Sequence, residues 1–150
     1  CSDFSDRALE FLKGSGLDTL KLNINSAFTK IIKEKKINTL TFFEVLEHID
    51  NPERIIVEAC TSAKVVIFSV PNTGFVSHRL RLLLGRFPMQ WRLSPGEHLR
   101  YWTLSDMHWW CKQLNIKSYK IIPYEGFPVL NILFPGLFSR GLIVVIGDTY

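Results

Sequence analysis

Three groups of residues in this 150-residue sequence have types and spacings that could do chemistry. Glu44, Glu47 and His48 stand three and four residues apart, which places them on one face if the segment is helical. Two carboxylates and an imidazole so placed suit a divalent cation. The preferred reading is a cleft wall whose acids cap backbone amides while His48 fixes a helix start, and no metal ligand is assigned. His98, flanked by Glu97 and Arg100, precedes a helix capped by Thr103 and therefore belongs to a loop. Imidazole is the natural proton acceptor near neutral pH, so His98 is the candidate catalytic base, with a hydrogen-bonded structural histidine as the plain alternative. The third group, Phe75 to Trp91, mixes apolar residues with His78, Arg79, Arg81 and Arg86. As an insertion it would form a lid whose guanidiniums suit an anionic acceptor. As an amphipathic helix it would only expose a basic face.

These groups need elements to hold them. Ser2 to Phe4 reads as the end of a strand, and Asp6 to Lys13 as a helix stopped by Gly14 and Gly16. Thr19 to Ile24 is a short strand, Phe28 to Lys35 a helix, and Asn38 to Phe43 a strand. Asn51-Pro52-Glu53 opens a helix with a capping side chain, a proline in the first turn and an acid near the positive end of the dipole. Lys64 to Val70 is the continuous apolar run expected of a strand buried on both faces. Val76 to Leu84 reads as a helix closed by Gly85; Thr103 caps another, with Leu104, Met107, Cys111 and Leu114 in one stripe. Ile116 to Ile122 and Leu142 to Ile146 are the last strands. Strands alternating with helices give an α/β domain with a mostly parallel sheet. In such sheets ligands bind beyond the carboxyl ends of the strands. That rule selects Asp3, Asn23, Phe43-Glu44, Pro71-Asn72 and the stretch from Glu97 to Trp102.

The composition sets bounds. Hydrophobic residues make up 47% and charged residues 21%, enough apolar content for a core and too little charge for a disordered chain. A net charge of +4 without a long basic run gives no nucleic-acid partner. The three cysteines are widely spaced, with no metal-binding pattern; Cys60 and Cys111 read as buried free thiols, which fits a reducing, cytoplasmic setting. The apolar segment Gly126 to Ile146 is broken by Pro128, Pro135, Gly136, Arg140 and Gly141, so no integral membrane segment is expected. The part of it from Phe127 to Phe138 would cover the site or form the face of a homodimer.

Phe42-Phe43-Glu44-Val45-Leu46-Glu47-His48-Ile49 resembles the segment after the fourth strand of class I S-adenosylmethionine-dependent methyltransferases. Ser69-Val70-Pro71-Asn72 resembles the end of their fifth strand. The stretches Arg79 to Arg86 and Glu97 to Thr103 are similar to the MetW-like group and its relatives. The resemblance runs over nearly the whole chain. It implies a Rossmann-like, mostly parallel sheet, S-adenosyl-L-methionine as cofactor, and a small-molecule methyl acceptor. Asp3, followed by Phe4, stands where the family's acid accepts hydrogen bonds from both ribose hydroxyls, a task suited to an acceptor-only carboxylate. Asn23, followed by Ile24, stands where the family commonly has an Asp facing the adenine amino group, and Phe43 and Glu44 complete the cofactor side. Asn72, His48, Arg79, Tyr101 and Trp102 form the acceptor side. The ubiquinone-biosynthesis O-methyltransferases resemble the Glu44-x-x-Glu47-His48 segment and use such a set for a divalent cation.

The family's first strand and its glycine-rich loop have no counterpart, since Gly14-Ser15-Gly16 reads as a helix stop. The expectation is therefore one methyltransferase-like domain over residues 1–150, with 74–100 as a lid or insertion, lacking a segment that precedes Cys1. The competing reading is a methyltransferase-like binding domain without catalysis.

Overall fold

The structure, a computed structural model, describes residues 1–3, 5–25, 28–88 and 97–147. The chain divides into two compact units, Cys1–Ile37 and Asn38–Tyr150.

In the first unit, β1 (Ser2–Asp3) pairs in parallel with β2 (Leu20–Lys21), and α1 (Asp6–Gly14) connects them. The Ser5 hydroxyl accepts the Ala8 N–H and caps α1. Lys21 reaches Asp6 at 2.7 Å; both are exposed, so this pair adds little stability. A second helix, α2 (Thr29–Glu34), follows.

The second unit carries a four-stranded sheet of β3 (Thr39–Phe43), β4 (Val65–Pro71), β5 (Tyr119–Tyr124) and β6 (Gly141–Ile146), in the order β3-β4-β6-β5. β3 and β4 are parallel, while β6 runs antiparallel to both β4 and β5. Three strands thus share one direction, and β6 is the reversed one. Reversal needs no crossover helix, only the return from Tyr124 to Gly141. That return folds as two single turns, α6 (Leu130–Leu133) and α7 (Pro135–Phe138), where the sequence reads as an apolar loop from Phe127 to Phe138. Pro123 is tolerated because β5 is an edge strand.

The core is built where the apolar runs meet. Val66, Phe68 and Val70 of β4 and Leu142 and Val144 of β6 are buried. α3 (Pro52–Ser62) lays Ile55, Ile56 and Ala59 inward; its start is fixed by Pro52 and by Asn51, whose side chain accepts the Arg54 N–H at 3.0 Å. α5 (Leu104–Gln113) buries Met107, Trp110 and Cys111 behind a capping box. There Thr103 Oγ1 accepts the Asp106 N–H, and the Asp106 carboxylate accepts the Thr103 N–H at 3.0 Å. The Trp110 indole N–H donates to Glu53 at 2.9 Å and so pins α5 to α3. α4 (Val76–Leu83) follows β4 and buries none of its residues. Cys111 is buried and Cys60 half-buried, both as free thiols.

Candidate functional site

The carboxyl end of β3 is where the second unit concentrates its polar groups. Glu44, the first residue past β3, has φ +51°. This left-handed turn ends the strand and breaks the helical path expected for Glu44, Glu47 and His48. Only Leu46–His48 form a helical turn, of the 3-10 kind, so the three residues do not share a helix face. The turn is held by Ser69 of β4, the register partner of Phe43. Ser69 Oγ accepts the Glu44 N–H at 3.0 Å and donates to Glu44 Oε1 at 2.7 Å. A hydroxyl can do both at once, which locks main chain and side chain together. Tyr124, at the end of β5, donates to the same Oε1 at 2.8 Å. Burial, then the Glu44 carboxylate, pushes the Tyr124 hydroxyl well above its ordinary pKa, so it stays a donor.

The 3-10 turn drives the Glu47 side chain inward. Glu47 is 0% exposed, and neither carboxylate oxygen has a hydrogen-bond partner. Burial raises its pKa to about 7, with the Glu44 charge adding to the shift and His48 opposing it. The backbone carbonyl of Glu47 accepts the N–H groups of Leu99 and Arg100, at 2.7 and 3.2 Å. Two more bonds fasten the same loop: the Arg100 guanidinium to the Asp50 carbonyl, and the His48 Nδ1–H to the Glu97 carbonyl at 2.5 Å. The second bond leaves His48 Nε2 facing Glu47 Oε1, 3.8 Å away.

This anchoring brings His98 to the acids. Its ring meets His48 edge-on with centroids 4.8 Å apart, and its Nδ1 is buried without a partner. Burial lowers the His98 pKa, and the neighbouring His48 lowers it further, so the ring is neutral near pH 7. Glu47, His48 and His98 each offer a ligand atom within 4.8 Å of the others. Spacing placed Glu44 with Glu47 and His48; the fold makes His98 the third member of the cluster and gives Glu44 to Ser69 and Tyr124. Ser69 and Tyr124 escaped the sequence reading. Ser69 sits in the Ser-Val-Pro-Asn run, and nothing in the sequence links Tyr124 to Glu44.

The other expected acceptor-side residues divide. Tyr101 is half-buried, 6.5 Å from His98 and 5.4 Å from Phe87 between ring centroids. Trp102 is a wall residue, buried against Trp110, with its carbonyl accepting the Thr73 N–H. Asn72 is fully buried. Its amide nitrogen donates to the Ser139 carbonyl at 2.8 Å and its amide oxygen accepts the Gly74 N–H at 2.9 Å, so it clamps the loops beyond β4 and α7. Arg79 donates through Nε to the Gly74 carbonyl at 2.7 Å. Phe43 is exposed at the end of β3.

In the first unit, Asp3 ends β1 and accepts the Ser5 N–H at 2.8 Å. Asn23 follows β2, and its side-chain oxygen accepts the Asn25 N–H at 2.9 Å around a turn that includes Ile24. Phe4 and Trp91 lie outside the described residues.

Comparison with known proteins bears on the family and the fold. Residues 4–120 match the family described as a methyltransferase domain. No curated protein matches the sequence. Among solved structures, the chain is similar to a SAM-dependent methyltransferase from Archaeoglobus fulgidus, with TM-score 0.64 and 12% identity over 97% of this chain and 73% of that one. It is similar to the small RNA methyltransferase HEN1, with TM-score 0.66 and 18% identity, covering 99% of this chain but only 20% of that one. A SAM-dependent methyltransferase from Thermotoga maritima, described as a possible histamine N-methyltransferase, gives TM-score 0.64 and 11% identity over 97% of this chain and 70% of that one. At these identities the likeness shows the fold, a Rossmann-like α/β fold of the class I methyltransferase type.

Proposed function

The chain belongs to the methyltransferase-domain family, and from that membership we propose that it transfers the methyl group of S-adenosyl-L-methionine to a small-molecule acceptor beside His98. The observation that carries this reading is the cluster of Glu47, His48 and His98 beyond the carboxyl end of β3, on the strand edge where open α/β sheets bind ligands.

Methyl transfer is a displacement at an activated sulfonium carbon. The protein has to align the nucleophile and exclude water, and it needs a base only when the acceptor loses a proton. His98 suits that base, because its lowered pKa keeps it neutral. Its buried Nδ1 has no hydrogen-bond partner, so no protein group fixes the ring's protonation there. His48, Arg79 and Tyr101 would contact the acceptor, while Asn72 and Trp102 hold the wall behind it. Asp3, Phe4, Asn23, Ile24, Phe43 and Glu44 form the cofactor side of this reading. Residues 74–100 serve as lid or insertion in a single domain over 1–150, and a reducing cytoplasm suits its free thiols.

The subgroup in this proposal is the MetW-like and ubiquinone-biosynthesis type, with a further strand and a glycine-rich loop encoded upstream.

A second reading of the cluster is favoured by the orphaned oxygens of Glu47. A buried carboxylate lacking hydrogen bonds is costly, and a divalent cation held by Glu47, His48 and His98 would satisfy it. The donor set of one carboxylate and two imidazoles fits such an ion. Bound there, it would supply Lewis-acid polarisation of an acceptor hydroxyl.

The test is calorimetric titration of S-adenosylhomocysteine into this chain and into one extended upstream, followed by a methylation assay against small hydroxylated acceptors and short RNA. Binding with turnover of small acceptors supports the proposal. Turnover of RNA alone would replace the acceptor class, and no binding to either folded protein leaves the non-catalytic domain.

A further inference from the structure

The Glu44 carboxylate is oriented by two neutral groups. Ser69 of β4 and Tyr124 of β5 both donate to its Oε1, at 2.7 and 2.8 Å. No lysine or arginine forms an ion pair with it among the described residues. Hydroxyl donors fix where a carboxylate sits and leave its charge in place, whereas an ammonium or guanidinium would cancel it. The main chain is held by the same hydroxyl, since Ser69 Oγ accepts the Glu44 N–H at 3.0 Å. A negative charge therefore stands at a set position on the first residue beyond the carboxyl end of β3.

That charge is felt across the cluster. Burial is the largest cause of the raised pKa of Glu47 and of the lowered pKa of His98, and at both groups the Glu44 charge pushes upward. A carboxylate with this reach favours positive charge in the space beyond β3. S-adenosyl-L-methionine carries a positive sulfonium at its reacting atom. Once the methyl group has left, S-adenosylhomocysteine has a neutral thioether there and is otherwise the same molecule. A fixed carboxylate attracts the first and gains nothing from the sulfur of the second.

We propose that Ser69 and Tyr124 are positioning residues that hold the Glu44 carboxylate toward the sulfonium of the bound cofactor, so that this protein discriminates the charged cofactor from its neutral product. The inference rests on the methyl-transfer reading and on Glu44 belonging to the cofactor side.

The test is calorimetric titration of S-adenosyl-L-methionine and of S-adenosylhomocysteine into the upstream-extended protein, with EDTA present so that no divalent cation shares the site. The readout is the ratio of the two dissociation constants, which a general loosening of the fold would leave unchanged. Glu44→Gln keeps an oxygen for both hydroxyls and removes the charge. It should shift the ratio against S-adenosyl-L-methionine on the order of five- to tenfold, the scale of a solvent-screened charge pair. Tyr124→Phe and Ser69→Ala keep the charge and release its position, and each should shift the ratio the same way by roughly two- to threefold. Thermal melts establish that each variant is folded, and the two hydroxyl variants report on the same carboxylate independently. Hydroxyl variants that weaken both ligands alike would return Ser69 and Tyr124 to a structural role and overturn the proposal. An unchanged ratio in Glu44→Gln would overturn it at the carboxylate itself. Binding of neither ligand to the folded parent would overturn the methyl-transfer reading and this inference with it, an outcome distinct from the other two.

Discussion

The Tyr124 hydroxyl and the Glu44 carboxylate meet at 2.8 Å although they come from opposite edges of the sheet, with β4 and β6 between their strands. Gly141 makes this possible. A Cβ there would lie 2.2 Å from Tyr124 Cζ and 2.5 Å from its hydroxyl oxygen, so only glycine lets the ring cross the start of β6. Tyr124→Phe should cost about 1.5–3 kcal/mol in stability, the usual worth of a hydrogen bond to a charged group. Gly141→Ala should cost a comparable amount through overpacking and should also displace the ring. Chemical denaturation of both variants checks this, and near-parent midpoints would count against the crossing.

Glu47 sets a pH dependence of stability. Its folded pKa is about 7 against the ordinary 4.5. Between those values the folded state holds a proton that the unfolded chain releases, so stability is full below about pH 4.5 and declines as pH rises through 7. The loss is on the order of 3 kcal/mol by pH 8. Glu47→Gln should flatten this slope and make the protein more stable than the parent at pH 8. Urea melts from pH 5 to 8 read it directly, and an unchanged slope would mean that Glu47 is not the titrating group.

A divalent cation should act on the same group with opposite sign. Mg²⁺ or Mn²⁺ at pH 7.5 should raise the melting temperature of the parent, because ligand bound only to the folded state stabilises it. Glu47→Gln and His48→Ala should abolish that rise. A shift that survives both changes would place the ion elsewhere.

His98 carries the catalytic prediction. His98→Ala should lower kcat by roughly 10²–10⁴ if it is the base. The parent's rate should fall only below pH 6.5, because burial and His48 hold the His98 pKa beneath its ordinary 6.5. Methylation rates across pH 5–8 decide this. A variant that keeps full kcat would return His98 to a structural role.

The sequence by itself determined β3, β4, α3 and α5 closely. Local signals were enough for this: Asn51 and Pro52 start α3, Thr103 starts α5, and the unbroken apolar run from Lys64 marks β4 within a residue. These depend on neighbours in the chain, so they can be read along it. Strand direction and side-chain partnership are not local. The reversal of β6, the left-handed turn at Glu44 and the Ser69 hydroxyl beneath it follow from how β3, β4 and β6 line up. Only that alignment takes Glu44 out of the expected Glu-x-x-Glu-His set and gives it to Tyr124, eighty residues away. It likewise carries His98 across fifty residues to His48, because the Glu47 and Glu97 carbonyls need donors and the 97–100 loop and His48 supply them. Hydrogen-bond satisfaction in three dimensions, rather than spacing along the chain, decided which side chains make the site.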